Sequence, residues 1–398
     1  MLNLVLVGGG HASLPTLADA RRLAAETGAA VTLVSDRPAL WYSGMVPEWL
    51  GGVYTEADVT VPLGPICDRE GVRFVEAEAL RLDRESREVV LADGRRVAYD
   101  VVAIDVGAVN PGRERATGAT TAKPLWHLAD LGQFLDQAHS GTRRLAIVGG
   151  GAAGTEVALN VTARADVEVD VTVLDPGDRL CPGLPARLGR WAADELHRRS
   201  ATVRLGARAI SANGDGVRLD TGEPVDADAV LWATGSTGHP LLRASGLALS
   251  DDGFARTDAG LRALDDGLPR ASGGRVFVAG DAASVAGHKG LARVGVHAVK
   301  QGPVLRENLG QALAALGRGG DPARVPLRPF RPYPIVPLLV STGGPEAWWT
   351  AGPFAIRSGL ALRLKHAVDR RWIDRYREGA SYHGHWDARH AAAAPDRL

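Results

Sequence analysis

Twice in this chain an apolar run meets a cluster of glycines and then a helical pattern, and that repetition restricts the fold more than any bulk property. Leu2–Val7 has the continuous apolarity of a strand buried on both faces. Gly8-Gly9-Gly10 follows. Residues 11–25 then read as a helix with Leu14, Leu17, Ala18 and Leu23 as its apolar positions, and residues 31–34 as a second strand ending at Ser35-Asp36. About 140 residues later the arrangement recurs: a strand over 145–148, the turn Gly149-Gly150-Gly151-Ala152-Ala153-Gly154, a helix opening near Glu156, and a strand over 169–174 ending at Asp175. Each unit is the opening of a βαβ element. Two of them predict an α/β fold with two nucleotide sites, not one site counted twice.

The rest of the composition narrows the partners. At 398 residues there is room for two to three domains of about 150 residues. The 46 basic and 46 acidic residues cancel, which argues against nucleic acid or another polyanion. The cysteines, Cys67 and Cys181, are far apart, which excludes a disulfide framework, a multi-cysteine zinc site and a CxxC pair. No apolar run approaches the ~18 residues of a membrane span. Residues 1–6 lack a positive leader and run into glycine, so they read as a strand and not a signal peptide, with the cytosol as default compartment.

Further strands are expected over 72–75, 88–91 and 101–104, with an Asp93-Gly94 turn between the last two. Segments 202–205 and 229–233 continue the second unit, and 275–278 forms a strand before Ala279-Gly280-Asp281. The proline-rich stretch from Pro322 to Pro353 reads as a connection, followed by a basic, aromatic tail over 354–377.

Gly149-x-Gly151-x-x-Gly154 is a full dinucleotide fingerprint in strand–turn–helix context. The first Gly permits the turn, the second lets the backbone approach a pyrophosphate, and the third lets helix pack on strand. Asp175 stands where a carboxylate can bind ribose hydroxyls and repel a 2′-phosphate, which favours NADH over NADPH, with NADPH still allowed. Gly8-x-Gly10-x-x-Ser13 is an imperfect copy, with Ser35 or Asp36 placed to meet an adenosine ribose.

The order of these motifs, with Ala233-Thr234-Gly235 after the second turn and Ala279-Gly280-Asp281 near the end, resembles the two-dinucleotide flavoprotein reductases over nearly the whole chain. The resemblance implies two Rossmann-like three-layer α/β domains of glutathione-reductase type. FAD would lie on the first turn, with Gly280 and Asp281 at its ribityl and phosphate, and NAD(P)H on the inserted second unit. The implied boundaries are 1–115 and 241–325 for the FAD domain, 116–240 for the NAD(P)H domain and 326–398 for a C-terminal segment. The expected cofactor-binding set is Gly8, Gly10, His11, Ala12, Ser35, Asp36, Pro47, Gly107, Gly149, Gly151, Gly154, Asp175, Gly235, Gly280, Asp281 and Ala298.

Segment 40–47 carries no cysteine, which sets aside the disulfide reductases. What remains is similar to type II NADH dehydrogenases and sulfide:quinone reductases. It looks closest to the NADH-dehydrogenase-like flavoproteins found alone or fused to selenide, water dikinase. The segments that carry this are 7–12, 42–45, 104–108, 298–303, 363–365 and 369–371.

This resemblance implies three catalytic candidates. Glu156 matches a Glu near the flavin and quinone end, where it could relay a proton. Read alone, it is a first-turn acid favoured by the helix dipole. Lys300 and Gln301 match a pair bordering the quinone site, with Lys in place of the usual first Gln. Lys300 could stabilise an anionic oxygen or be a solvated helix lysine. Pro47 matches a position packed near the flavin ring.

The activity implied is hydride transfer from NADH to FAD and onward electron transfer to a quinone. The alternatives are sulfide oxidation, which would need Cys67 and Cys181 to act in redox, or a flavin-binding redox partner in selenium metabolism. In the tail, Leu360, Leu364, Val368, Trp372 and Tyr376 recur at helical spacing among Arg357, Arg363, Lys365, Arg370, Arg371, Arg375 and Arg377. Such a helix can lie on the cytoplasmic face of the inner membrane, or dock on its own protein or on a homodimer mate. His383, His385 and His390 have Asp387 as their only neighbouring carboxylate, so no metal site is expected.

Overall fold

The computed structural model describes residues 1–137, 142–264, 273–288 and 290–377. One five-stranded parallel sheet runs Val276–Val278, Val101–Ile104, Leu2–Val7, Ala29–Ser35, Arg73–Glu76. A second runs Thr120–Thr121, Ala229–Trp232, Arg143–Val148, Val169–Asp175, Thr202–Leu205, again all parallel. Each central strand is sealed by its neighbours and by helices: Leu4, Val5 and Leu6 in one, Leu145, Ala146 and Ile147 in the other. Such burial requires the unbroken apolar runs that open both units.

A three-stranded antiparallel sheet accompanies each parallel one. Ala79–Asp83, Glu88–Leu91 and Arg96–Ala98 form the first, and Ala209–Asn213, Gly216–Leu219 and Pro224–Asp226 the second. Because Val276–Val278 joins the first sheet, the chain leaves that sheet, builds the second, and returns. The two crossings lie side by side as Ala108–Val109 against Thr237–Gly238. Buried Asn110 ties them: its Nδ2 donates to Gly235 O at 2.9 Å and its Oδ1 accepts from Lys123 N at 2.7 Å.

Three expectations are corrected. The helix over 11–25 is two helices, Leu14–Leu17 and Ala20–Thr27. Asp19 leaves helical geometry between them, and its buried carboxylate meets Arg22 (2.7 Å) and Arg306 (2.5 Å) of the long helix Gly295–Gly317. The Asp93-Gly94 turn joins Glu88–Leu91 to Arg96–Ala98, not to the strand over 101–104. The stretch from Pro322 to Pro353 is more than a connection: its apolar runs form Leu338–Ser341 and Ala347–Ala351, which pair with Phe354–Ser358.

The tail helix, Gly359–Arg377, buries Ala361, Lys365, Asp369, Trp372, Ile373 and Tyr376, while Leu360 and Val368 are exposed. An i+4 series drifts about 40° per step on a helix of 3.6 residues per turn, so Leu360 and Tyr376 cannot share a face. His383, His385 and His390 lie outside the described residues. Among the described residues no helix is long and apolar enough to cross a membrane.

Candidate active site

The second glycine turn separates three physical demands. Gly149 has φ +115°, and a Cβ there would stand 2.5 Å from Ala233 O; one on Gly154 would run into Gly149 O. A Cβ on Gly151 would meet nothing within 4 Å. Two glycines therefore close the turn and the third faces open space, at the start of helix Ala152–Val161, which has no side-chain N-cap. Free N–H groups beside open space suit a diphosphate. Asp175 Oδ2 accepts from Gly150 N at 2.6 Å and Oδ1 from Gly177 N at 2.7 Å. Its carboxylate braces the turn and keeps lone pairs for a ribose hydroxyl.

The first turn is organised by Asp105, which the sequence reading did not single out. A Cβ on Gly8 (φ +92°) would strike Asp105 O, and one on Gly10 would come 2.5 Å from its carboxyl. Asp105 Oδ2 accepts from Ser13 N at 2.8 Å. Burial pushes this carboxyl up to about 6, against the lowering by backbone donors at Ser13 and Ala12. Gly280 (φ +64°) also packs on Asp105, and its N–H donates to the buried Gln301 Oε1 at 2.8 Å. Gln301 thus holds the Gly280 turn. Ala298 is buried beside the same turn. Asp281 pairs with Lys123 Nζ at 2.6 Å.

Ser35 is buried with its hydroxyl on Arg37 O, leaving the exposed Asp36 as the free polar group at the end of Ala29–Ser35. Ala12 is fully buried, Pro47 is buried in helix Val46–Leu50, and Gly107 and Gly235 adopt positive φ with open space around them.

Two buried polar atoms at the first turn, His11 Nε2 and Ser13 Oγ, have no hydrogen-bond partner among the described residues. Burial lowers His11 to about 4, so the ring is neutral at pH 7. These orphan atoms and the glycine cradle fit a nucleotide cofactor.

The C-terminal segment closes the other side. Trp372 stacks on Tyr42 (centroids 4.3 Å) and on His11 (5.3 Å). Glu156 is half-buried and falls in the second turn of its helix, so it is not the first-turn acid that the dipole would favour. Its Oε1 accepts from Ser341 N at 2.7 Å and Ser341 Oγ at 3.0 Å, while Asn160, four residues on, donates to Ser341 Oγ at 2.8 Å. Burial raises the Glu156 carboxyl to about 7, with nearby Lys365 pulling the other way. Lys300 is not simply solvated: its ammonium lies 3.6 Å from the centre of the Tyr333 ring. Lys365 is buried against Glu48 and Asp369. The sequence does not show this pairing, because Lys365 and Asp369 sit within a pattern that reads as a solvated helix face and Glu48 lies 317 residues from Lys365. Cys67 and Cys181 are both free and buried, and burial lifts each thiol to about 11.

The family profile of pyridine nucleotide-disulphide oxidoreductases matches residues 2–302. The chain is 25% identical over 269 residues to demethylphylloquinone reductase NdbB of Synechocystis, covering 64% of this chain and 67% of that protein. It is 22% identical over 268 residues to a type II NADH:quinone oxidoreductase of Staphylococcus saprophyticus, covering 61% and 66%. The match therefore spans about two thirds of the length of these relatives. In fold it is similar to NDH2 of Plasmodium falciparum, with a TM-score of 0.73 at 12% identity, over 96% of this chain and 99% of that one. Two glycine cradles on two parallel sheets, and a profile match that runs into the first turns of the long helix after Asp281, make the chain an oxidoreductase of the pyridine nucleotide-disulphide oxidoreductase family, whose members bind a flavin and a nicotinamide dinucleotide.

Proposed function

We propose that this protein is a FAD-dependent NADH:quinone oxidoreductase, with the net reaction NADH + H⁺ + Q → NAD⁺ + QH₂. The observation that carries the reading is Glu156. It is a carboxyl with a proton affinity near neutrality, fixed by Ser341 where the nucleotide-turn helix meets the C-terminal segment. Bound FAD supplies the two-electron chemistry between nicotinamide and acceptor. The Gly8–Ser13 turn, Asp36 and Asp281 would hold it, and the Gly149–Gly154 turn with Asp175 would hold NADH. A carboxylate at Asp175 disfavours the 2′-phosphate of NADPH. Glu156 holds a proton and gives it to a quinone oxygen.

Phe354, Ile356, Leu360 and Val368 are exposed beside Arg363 and Arg371. That surface supports peripheral contact with anionic lipid, where quinones dissolve.

An anaerobic titration of the flavin-loaded protein tests the reading. NADH is expected to bleach the visible flavin band at lower concentration than NADPH, and a soluble benzoquinone is expected to restore it. Bleaching without recovery would reject the acceptor; no bleaching would reject the donor and favour a redox partner without turnover.

Sulfide oxidation through the cysteines is disfavoured, because both thiols are buried and held protonated, whereas the thiolate is the nucleophile. Cys67→Ser and Cys181→Ser are each expected to leave quinone reduction within about twofold of wild type. Loss of turnover in either, with flavin content intact, would revive the sulfide reading.

A further inference from the structure

The two nucleotide turns differ in the positive charge they offer a diphosphate. Behind the second lies a ten-residue helix, Ala152–Val161; behind the first lies Leu14–Leu17, of four residues, so fewer aligned peptide dipoles point at the turn. The N–H donors at the first turn are also engaged: Ser13 N donates to Asp105 Oδ2 at 2.8 Å, and Ala12 N–H supports the same carboxyl. A second carboxylate, Asp281, is close enough for its charge to act on both His11 and Asp105. Burial keeps His11 neutral at pH 7. A diphosphate would add further negative charge to this acidic turn, and like charges at short range repel.

Lys123 reaches the same place from just beyond Thr120–Thr121, the first strand of the second sheet. Its Nζ donates to Asp281 Oδ2 at 2.6 Å, and its side chain is 23% exposed. An ammonium carries three N–H hydrogens, and Asp281 is the only acceptor that Nζ has among the described residues. The stem is fixed: Lys123 N donates to Asn110 Oδ1 at 2.7 Å, and Lys123 O accepts from Thr121 Oγ1 at 3.1 Å. The neighbouring cation, Arg293, is engaged otherwise. Its guanidinium donates to Asp281 O at 3.1 Å and to Ala283 O, and lies 3.6 Å from the centre of the Phe254 ring. Arg293 thus braces the turn from its backbone side, while Lys123 has hydrogens to give beside a carboxylate that faces the first turn.

We propose that Lys123 supplies the positive charge for the diphosphate of FAD, with one N–H on Asp281 and a second on a phosphate oxygen. This rests on the reading that the first turn holds FAD. The ammonium acts twice in binding: it neutralises the Asp281 carboxylate, which would repel the diphosphate, and it donates a charge-assisted hydrogen bond to it. Lysine serves here as a point charge. Arginine can replace that charge, whereas an uncharged side chain of similar length leaves Asp281 unpaired against the phosphates. Because Lys123 stands on the segment that enters the second sheet, the cofactor of one sheet is bound by a residue carried by the other.

The test is a titration of Lys123→Met and Lys123→Arg apoprotein with FAD. Lys123→Met is expected to weaken FAD binding about 30-fold, and Lys123→Arg by less than about threefold. NADH binding to the second turn should stay within about twofold in both, which reports an intact fold. Phosphorus NMR at saturating FAD separates a phosphate contact from a brace on the Asp281 turn. In Lys123→Met a diphosphate resonance of bound FAD should move, with the visible flavin band unchanged. Wild-type protein gives a readout that needs no variant: acetic anhydride should acetylate Lys123 in the apoprotein, mapped by mass spectrometry, and FAD should protect it. Wild-type FAD affinity in Lys123→Met, weakened binding with both diphosphate resonances unmoved, or equal acetylation with and without FAD would each overturn the assignment. If wild-type apoprotein takes up no FAD, the flavin reading itself falls, and that control is read before any variant.

Discussion

Glu156→Gln is expected to slow reoxidation by quinone by about 100-fold at pH 6, while bleaching by NADH stays within about twofold. A positioned general acid is worth roughly 10²–10⁴-fold, and the amide keeps the shape of the side chain while losing the proton. The pH dependence supplies the sign. The wild-type carboxyl is raised to about 7 by burial, so it is protonated below that value and ionised above it. Wild-type quinone reduction should therefore fall as pH rises through about 7, and the Gln variant should show a slow, flat profile.

Stability gives a second readout. A carboxyl raised in the folded state above its ordinary value of 4.5 binds its proton more tightly folded than unfolded. Folding thus loses stability as pH rises from about 4.5 through about 7. The Gln variant lacks that loss, so its unfolding temperature relative to wild type should increase between pH 5 and pH 8. A variant that loses activity with no change in either pH profile would show that Glu156 acts only through its contact with Ser341.

The parts of the fold set by local backbone demands were legible in the sequence. Gly149, Gly151 and Gly154 announce the second cradle because turn, ligand approach and helix packing act within six residues, and the structure shows one glycine facing open space and two facing backbone. What depends on partners far along the chain was not legible. Asp105 reads as an ordinary polar residue after an apolar strand, and its importance appears only when Ser13 and Gly280 arrive from either side. Glu156 could be placed on its helix, but Ser341, which fixes it, is 185 residues away. Gln301 sits in the expected segment, yet its amide is committed to Gly280 N. The tail was misread for a geometric reason: hydrophobic spacing located the helix, but a charged triplet of Glu48, Lys365 and Asp369 turned its polar positions inward and left Leu360 outside.

Gly280→Ala is expected to yield protein that purifies without its yellow colour, with flavin content reduced at least about tenfold, while NADH still binds to the second cradle. Gly280 has φ +64°, a region that costs a non-glycine residue about 1–3 kcal/mol. Its added Cβ would also collide with Asp105 Oδ1. Asp105 cannot retreat, because its carboxyl is bonded to Ser13 N and lies against Gly10, and its backbone carbonyl lies against Gly8. The turn itself must move instead. That breaks the Gly280–Gln301 bond and carries Asp281 away from the first cradle. Backbone strain and collision can be separated with Gly287→Ala, a site of φ +82° where a Cβ would meet nothing within 4 Å. If Gly287→Ala keeps its flavin and Gly280→Ala does not, the loss belongs to the Asp105 junction. Equal flavin content in Gly280→Ala and wild type would show that this turn does not hold the cofactor. Equal loss in both variants would assign the effect to left-handed strain alone.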